Sequence, residues 1–189
     1  SVDRATWPRS RKANYFTNPM FATNYPLLEK YGLSFDLQCN PPQLNTAANF
    51  LAQFPNIPVV LDHIGSLKLS GDNKLDEAMM VVWRNGIKAL ANLQNTYVKL
   101  SMLGYTLPGW HKDEKKRRKM CDVVLEVIRI FGTERCMFAS NFPVDRDLDD
   151  GLTAKVIYGH YRDWVSHFSA SEKRNLFQNT ASRFYRLNE

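Results

Sequence analysis

The chain has 189 residues, 44% of them hydrophobic and 12% aromatic, which suffices for the core of one domain and excludes intrinsic disorder. Its apolar runs, such as 57–61 and 123–125, stop far short of the roughly 18 residues a membrane helix needs, and the charged segment 1–12 lacks the apolar stretch of a secretory signal, so the sequence reads as cytoplasmic with no membrane partner. The formal charge of +6 is concentrated as net +4 over 111–119 and net +3 over 1–12; a charge run that opens a helix is a solvated face, and no nucleic-acid partner is expected from it.

Four short β-rich runs bounded by Gly, Asn, Pro or Ser follow one another: 33–39, 58–62, 97–100 and 136–139. After the first, Asn40-Pro41-Pro42 makes a turn, and Leu44, Ala47, Ala48, Leu51 and Phe54 fall at helical spacing. After the second, Met79, Val82, Trp83, Ile87, Leu90 and Leu93 mark an apolar stripe, with Asp76 and Glu77 suited to the positive end of the helix dipole. A third stripe, Met120, Val123, Val124, Val127, Ile128 and Phe131, ends at Gly132, a C-terminal stop. After the last strand, Leu152, Val156, Tyr161, Trp164 and Val165 approximate one helix, and Ser169-x-x-Glu172 is a capping box for another running to about Gln178. The cysteines, Cys39, Cys121 and Cys136, are odd in number and widely spaced, which fits neither a disulfide framework nor a metal knuckle, and they read as reduced thiols.

Strands alternating with helices predict an α/β fold with parallel pairing. The strand runs are apolar on both parities, as in a sheet covered on both faces, and their polar residues gather at the C-terminal ends: Gln38, Asp62-His63, Lys99-Ser101 and Ser140-Asn141. In parallel α/β folds the ligand site lies at that edge. A doubly wound open sheet and part of a (β/α)8 barrel both fit this order; the absence of a Gly-rich phosphate loop after the first strand removes the main signal for the former.

Leu61-Asp62-His63-Ile64-Gly65 and Met137-Phe138-Ala139-Ser140-Asn141-Phe142-Pro143-Val144-Asp145 resemble segments of the amidohydrolase-related, metal-dependent hydrolase family of TIM barrels. Phe35-Asp36-Leu37-Gln38, Val98-Lys99-Leu100-Ser101 and the closing Asn179–Leu187 stretch fit in the same order. The resemblance implies a (β/α)8 barrel of which about the last four βα units are present, within a single partial-barrel domain, 1–189: a lead-in loop and helix (1–32), the strand units (33–145) and C-terminal helices (146–189). It also implies a lactonase-like hydrolase that drives water onto a small polar lactone, ester or amide. The family takes a His-x-His pair from its first strand, a His from a later strand and an Asp from the last. His63 falls on the later His, no His-x-His is present, and Asn141 stands where the Asp is usual. A divalent metal such as zinc is therefore expected only with an upstream His-x-His, and no metal ligand is assigned within this chain. An amide has no ionisable proton acceptor near neutral pH, so Asn141 can orient a water but not deprotonate it. Asp145 is the nearest carboxylate that could replace the missing one, against a reading as a loop or cap residue.

His63 is the leading catalytic candidate, since a neutral imidazole at a strand end can bind metal, polarise a carbonyl or shuttle a proton; Asn141 is the second. Asp62, with opposite parity, is expected to anchor a loop or the next helix. Lys99 is placed either on a substrate carboxylate or in a salt bridge to the outer helices. Gln38, Ser101 and Ser140 are candidate substrate contacts, as is Trp110, in a loop (102–110) whose Gly, Pro, Tyr and Trp suit either a substrate-facing lid or, equally, a packed surface loop. A half barrel leaves three possibilities, an upstream half-barrel, which is the favoured one, pairing of two copies, or survival as an open sheet, with 7–25 read as the lead-in to the fifth family strand. The alternative to a hydrolase is a catalytically impaired or truncated family member acting as a ligand-binding or structural protein.

Overall fold

The computed structural model describes residues 14–148 and 151–187; the expectations for the basic segment 1–12 and for the first part of the 7–25 lead-in lie outside them. Four strands, β1 (Phe35–Leu37), β2 (Val59–Leu61), β3 (Thr96–Leu100) and β4 (Cys136–Phe138), form one sheet in the order β1-β2-β3-β4. All pairs are parallel, with Leu37 beside Leu61, Leu61 beside Val98, and Lys99 beside Met137. Sequential order without a reversal is the topology of a barrel wall rather than of a doubly wound sheet. Among the described residues no helix is long and apolar enough to cross a membrane.

Ahead of β1 lie the short helices α1 (Pro19–Asn24) and α2 (Leu27–Lys30). The crossovers are α3 (Leu44–Leu51), α4 (Asn73–Ala91) and α6 (Glu114–Phe131), with a short α5 (Leu103–Thr106) after β3. Beyond β4 come α7 (Val144–Leu148), α8 (Ala154–Trp164), α9 (Ala170–Arg174), a π-turn (Asn175–Asn179) and α10 (Thr180–Tyr185). The capping box closes as the sequence predicts, Glu172 N–H donating to Ser169 Oγ and Ser169 N–H to Glu172 Oε2. Helix α6 ends where Gly132 takes φ +79°, and all six residues of its predicted stripe are buried.

The two faces of the sheet differ. Leu37, Val59, Leu61, Val98, Leu100, Cys136 and Phe138 pack into the large core under the helices, whereas Val60 and Met137 meet Phe184 on the concave face. Full burial of aliphatic and aromatic side chains in the core under the helices, at about 25 cal/mol per Å² of apolar surface, dominates stability.

Helix α4 is rotated from the stripe read in the sequence. Met79 and Val82 are 36% and 39% exposed, while Asp76, Met80, Trp83, Gly86, Ile87, Leu90 and Ala91 are buried. The cause is a close approach at Gly86, where a Cβ would lie 2.3 Å from Leu44 Cβ; periodicity counts only apolar side chains and misses a glycine contact. Asp76 is buried rather than merely helix-terminal. Its carboxylate accepts from Ser70 N–H and Oγ–H, Gly71 N–H and Lys119 Nζ at 2.7–3.1 Å, which locks the loop into α4.

Candidate active site

Residues at the C-terminal ends of three successive strands adopt the left-handed conformation that L-residues avoid: His63 (φ +58°), Met102 (φ +58°) and Asn141 (φ +56°). After β2 the distortion extends through a whole turn, with Ile64 at +48°, Gly65 at +73° and Ser66 at +47°. Each non-glycine residue in such a turn costs on the order of 1–2 kcal/mol, so it persists only because its surroundings hold it. Gly65 is confined by Leu44, whose Cδ1 and Cδ2 would lie 3.2 Å from an added Cβ. Its N–H donates to Asp62 O at 3.0 Å. From α4, the buried indole of Trp83 donates to Ile64 O at 2.8 Å. Backbone strain gathered at one edge of a sheet is typical of functional sites.

This turn directs His63 toward β3. Its Nδ1 lies 2.9 Å from Oγ of Ser101, which is 1% exposed, so the contact leaves Nε2 as the ring nitrogen not engaged by Ser101. Burial, opposed by Asp62 and reinforced by Lys99, holds the His63 pKa below its usual value of 6.5, so the ring is neutral near pH 7.

At β4, Asn141 Nδ2 donates to Asp145 Oδ1 at 2.8 Å. Asp145, 0% exposed, also accepts from Gly104 N–H of α5 through Oδ2 at 3.3 Å. A carboxylate can only accept, so this contact fixes which way the amide points and leaves Asn141 Oδ1 as the acceptor not bound to it. Asp145 thus braces the β3 and β4 loops from within. Tyr161 of α8 does the same from below, its hydroxyl lying 2.9 Å from Leu100 O and 3.2 Å from Ala139 O, with its ring stacked on Phe138 at 4.2 Å.

The sheet thus places His63, Ser101 and Asn141 at one edge. Gln38, exposed at the end of β1, lines a cleft of ≈ 440 Å³ with Tyr15, Phe16, Phe21, Asn40 and Ser66. Ser140 serves its own turn, Oγ accepting from Phe142 N–H at 3.3 Å. Lys99 does not reach the outer helices: Nζ lies 2.7 Å from Asp36 Oδ2 and 2.8 Å from Asp62 Oδ1 on the concave face. Asp62, expected to anchor a loop, makes no side-chain cap to the next helix and belongs to this ion-pair group. Trp110 is a correction. It is 0% exposed, packed against Trp164 at 5.3 Å and His160 at 5.1 Å, so its ring cannot contact a ligand. The lid expectation falls with it, because Met102, Leu103, Gly104, Thr106 and Leu107 are buried as well. The sequence pattern marks Trp83 only as a core residue and gives Asp36 no site role. The parity of Asp36, two residues before Gln38 on the same strand face, was a usable signal; nothing in the sequence links Trp83 to Ile64.

The residues present do not form a cation site. Among the described residues no three His, Cys, Asp or Glu side chains converge as metal ligands. His63 Nδ1 is on Ser101, Asp62 on Lys99 and Asn141 Nδ2 on Asp145, so these side chains are already committed to one another.

A family model described as Amidohydrolase matches residues 4–187. The chain is 31% identical over 169 residues to an uncharacterized protein, y4mH, of Sinorhizobium fredii, covering 89% of this chain and 52% of that protein. It is 29% identical over 177 residues to L-fucono-1,5-lactonase of Burkholderia multivorans, covering 89% of this chain and 56% of the relative. The chain therefore spans about half the length of these curated relatives. Among solved structures, an amidohydrolase from Burkholderia multivorans with bound HEPES superposes with a TM-score of 0.81 at 25% identity, covering 91% of this chain and 59% of that one. A putative 2-pyrone-4,6-dicarboxylic acid hydrolase from Pseudomonas putida, at TM-score 0.68 and 18% identity over 94% of this chain and 60% of that one, shares the fold.

Proposed function

The chain belongs to the amidohydrolase family, and we propose that it supplies the later half of the active site of a hydrolase that drives water onto the carbonyl of a small lactone, ester or amide. The observation that carries this reading is the strained left-handed turn that sets a neutral His63 against Ser101 at the C-terminal edge of the sheet. With Nδ1–H donated to Ser101 Oγ, Nε2 keeps its lone pair and takes a proton from the attacking water as a general base. Asn141, its amide pinned by Asp145, offers Oδ1 to hold that water. The relatives carry nearly as much chain again, and the remaining substrate contacts are assigned to that part of the whole protein.

The lactonase relative supports a lactone as the first substrate class to try. A second reading, ligand binding without turnover, is favoured by the amide at β4 where the family resemblance implies a carboxylate. A panel of lactones, esters and amides, followed by release of acid in weakly buffered indicator solution, separates the two. Acid release above the uncatalysed rate supports a hydrolase; saturable binding without release supports the second reading.

A further inference from the structure

The loop that follows β2, from the left-handed turn at 63–66 to Asp72, is held at both ends by one face of α4. Near its start the Trp83 indole donates to Ile64 O at 2.8 Å. At its far end Asp76, whose side chain is 7% exposed, accepts from Ser70 N–H and Oγ–H at 2.8 Å through Oδ1 and from Gly71 N–H at 3.1 Å through Oδ2. Asp76 and Trp83 lie two turns apart on the buried face of the helix. Between these anchors Leu67 and Leu69 are buried, and Leu69 N–H donates to Thr106 O at 2.8 Å, which ties the loop to the one after β3. Lys119 Nζ donates to Asp76 Oδ2 at 2.7 Å and brings in α6. Burial pushes the Asp76 pKa up, but Lys119 and the donors of Ser70 and Gly71 outweigh it and hold the carboxyl below its usual value, so the bonds it accepts are charge-assisted. All these contacts join elements over the inner strands β2 and β3, and none involves the sheet edges at β1 and β4.

Building on the hydrolase reading above, we propose that Asp76 is a positioning residue for His63: its carboxylate, set by Lys119, holds the far end of the loop so that the strained turn at the near end keeps the imidazole against Ser101. A left-handed run of non-glycine residues persists only where its surroundings over-determine it. On one side β2 fixes the run, Asp62 N–H donating to Leu37 O at 2.8 Å. On the other, only Leu67, Lys68 and Leu69 separate Ser66 from Ser70, and with two of the three buried the segment has little slack. Releasing Ser70 and Gly71 therefore lets the turn relax, and the His63 ring, which departs from the first residue of that turn, moves with it. Asp76 itself touches no reacting atom.

Ring ¹⁵N spectra of the full chain at about pH 8, where imidazole is neutral, test this, with the His63 signals identified by their loss in His63→Asn. The unaltered protein should show His63 as a single tautomer. Asp76→Asn should mix the two tautomers and speed exchange of the Gly65 and Leu69 amides by at least about tenfold. Val127→Ala is the control: Val127 is 0% exposed in the core under α6, so its truncation lowers Tm without touching the loop and should leave the tautomer and both amides unchanged. Should Asp76→Asn fail to fold, Lys119→Met, at a side chain 20% exposed, decides, with the same changes expected at about threefold or more in amide exchange. An undisturbed tautomer and undisturbed Gly65 exchange in the folded variant overturn the proposal and make Asp76 a helix anchor alone; an equal response to Val127→Ala does the same.

Turnover separates this from the reading it rests on. On a substrate the unaltered protein hydrolyses, Asp76→Asn should lower kcat by about tenfold or more with KM little changed. Mixed tautomers in Asp76→Asn, together with no hydrolysis of any compound by the unaltered protein, would sink the hydrolase reading and leave the positioning role standing.

Discussion

His63 and Ser101 meet side chain to side chain at 2.9 Å across the ends of β2 and β3; the hydroxyl can donate or accept, and the proposed role of Nε2 as base requires it to accept from Nδ1–H. Ser101→Ala removes the acceptor for Nδ1–H and lets the ring populate the other tautomer. Turnover should fall by roughly tenfold or more with little change in KM, because the loss falls on the proton-transfer step. Steady-state kinetics, with ring ¹⁵N shifts to read the tautomer, checks this; a change confined to KM would place Ser101 in substrate binding instead.

The pH dependence follows from the same ring. A base must be neutral, and burial holds the His63 pKa below 6.5, so kcat/KM should rise with pH along an acid limb centred below 6.5 and be level at neutrality. Stability has the same sign. His63 and His160 are both lowered, mainly by burial, so between the folded and unfolded values the unfolded chain binds more protons. Unfolding free energy should therefore decrease as pH drops below about 6.5 and keep decreasing until the folded values are passed, measurable by denaturant titration across that window.

Asn141→Asp would set a second carboxylate against buried Asp145, whose Oδ1 is 2.8 Å from the present amide nitrogen. Like charges at that distance cannot both ionise, so one carboxyl must take up a proton, and the variant should lose stability by about 1–3 kcal/mol at neutral pH, the scale of a disrupted buried hydrogen bond. The swap Asn141→Asp with Asp145→Asn restores one carboxylate and one amide and should recover most of the loss. Thermal unfolding of the two proteins provides the comparison, and equal stability of single and double variants would contradict the pairing.

Trp83→Phe keeps the packing of the ring but removes the N–H that satisfies Ile64 O. An orphaned buried carbonyl costs about 1–3 kcal/mol, and for a chain of this size each kcal/mol lowers Tm by about 2–4 °C. Turnover should fall in parallel, since the same bond steadies the turn that presents His63.

The fold was legible because its signals are local and repeated. The four strand runs, the α6 stripe, Gly132 and the Ser169–Glu172 box each state their structure in a few residues, and all are found. Likewise, polar residues at successive strand ends pointed to the edge where His63, Ser101 and Asn141 lie. What was not legible depends on contacts between elements. Lys99 could not be assigned to a face partner until register set it beside Asp36 and Asp62, and α4 is turned by a glycine that adds nothing to an apolar stripe. Trp110 suggested a lid by composition, yet it lies beneath α8 against Trp164 and His160. The left-handed run from His63 to Ser66 had only Gly65 to announce it.

Replacement of His63 by asparagine tests the central claim most directly, since asparagine tolerates the left-handed backbone at that position and so removes the imidazole without the strain that alanine would add. Measured on a lactone the unaltered protein turns over, the account predicts that His63→Asn loses at least about a hundredfold in kcat, the scale of a general acid or base, with its melting temperature nearly unchanged. Full turnover by a stably folded His63→Asn protein would contradict it and reduce the strand-end histidine to a structural residue.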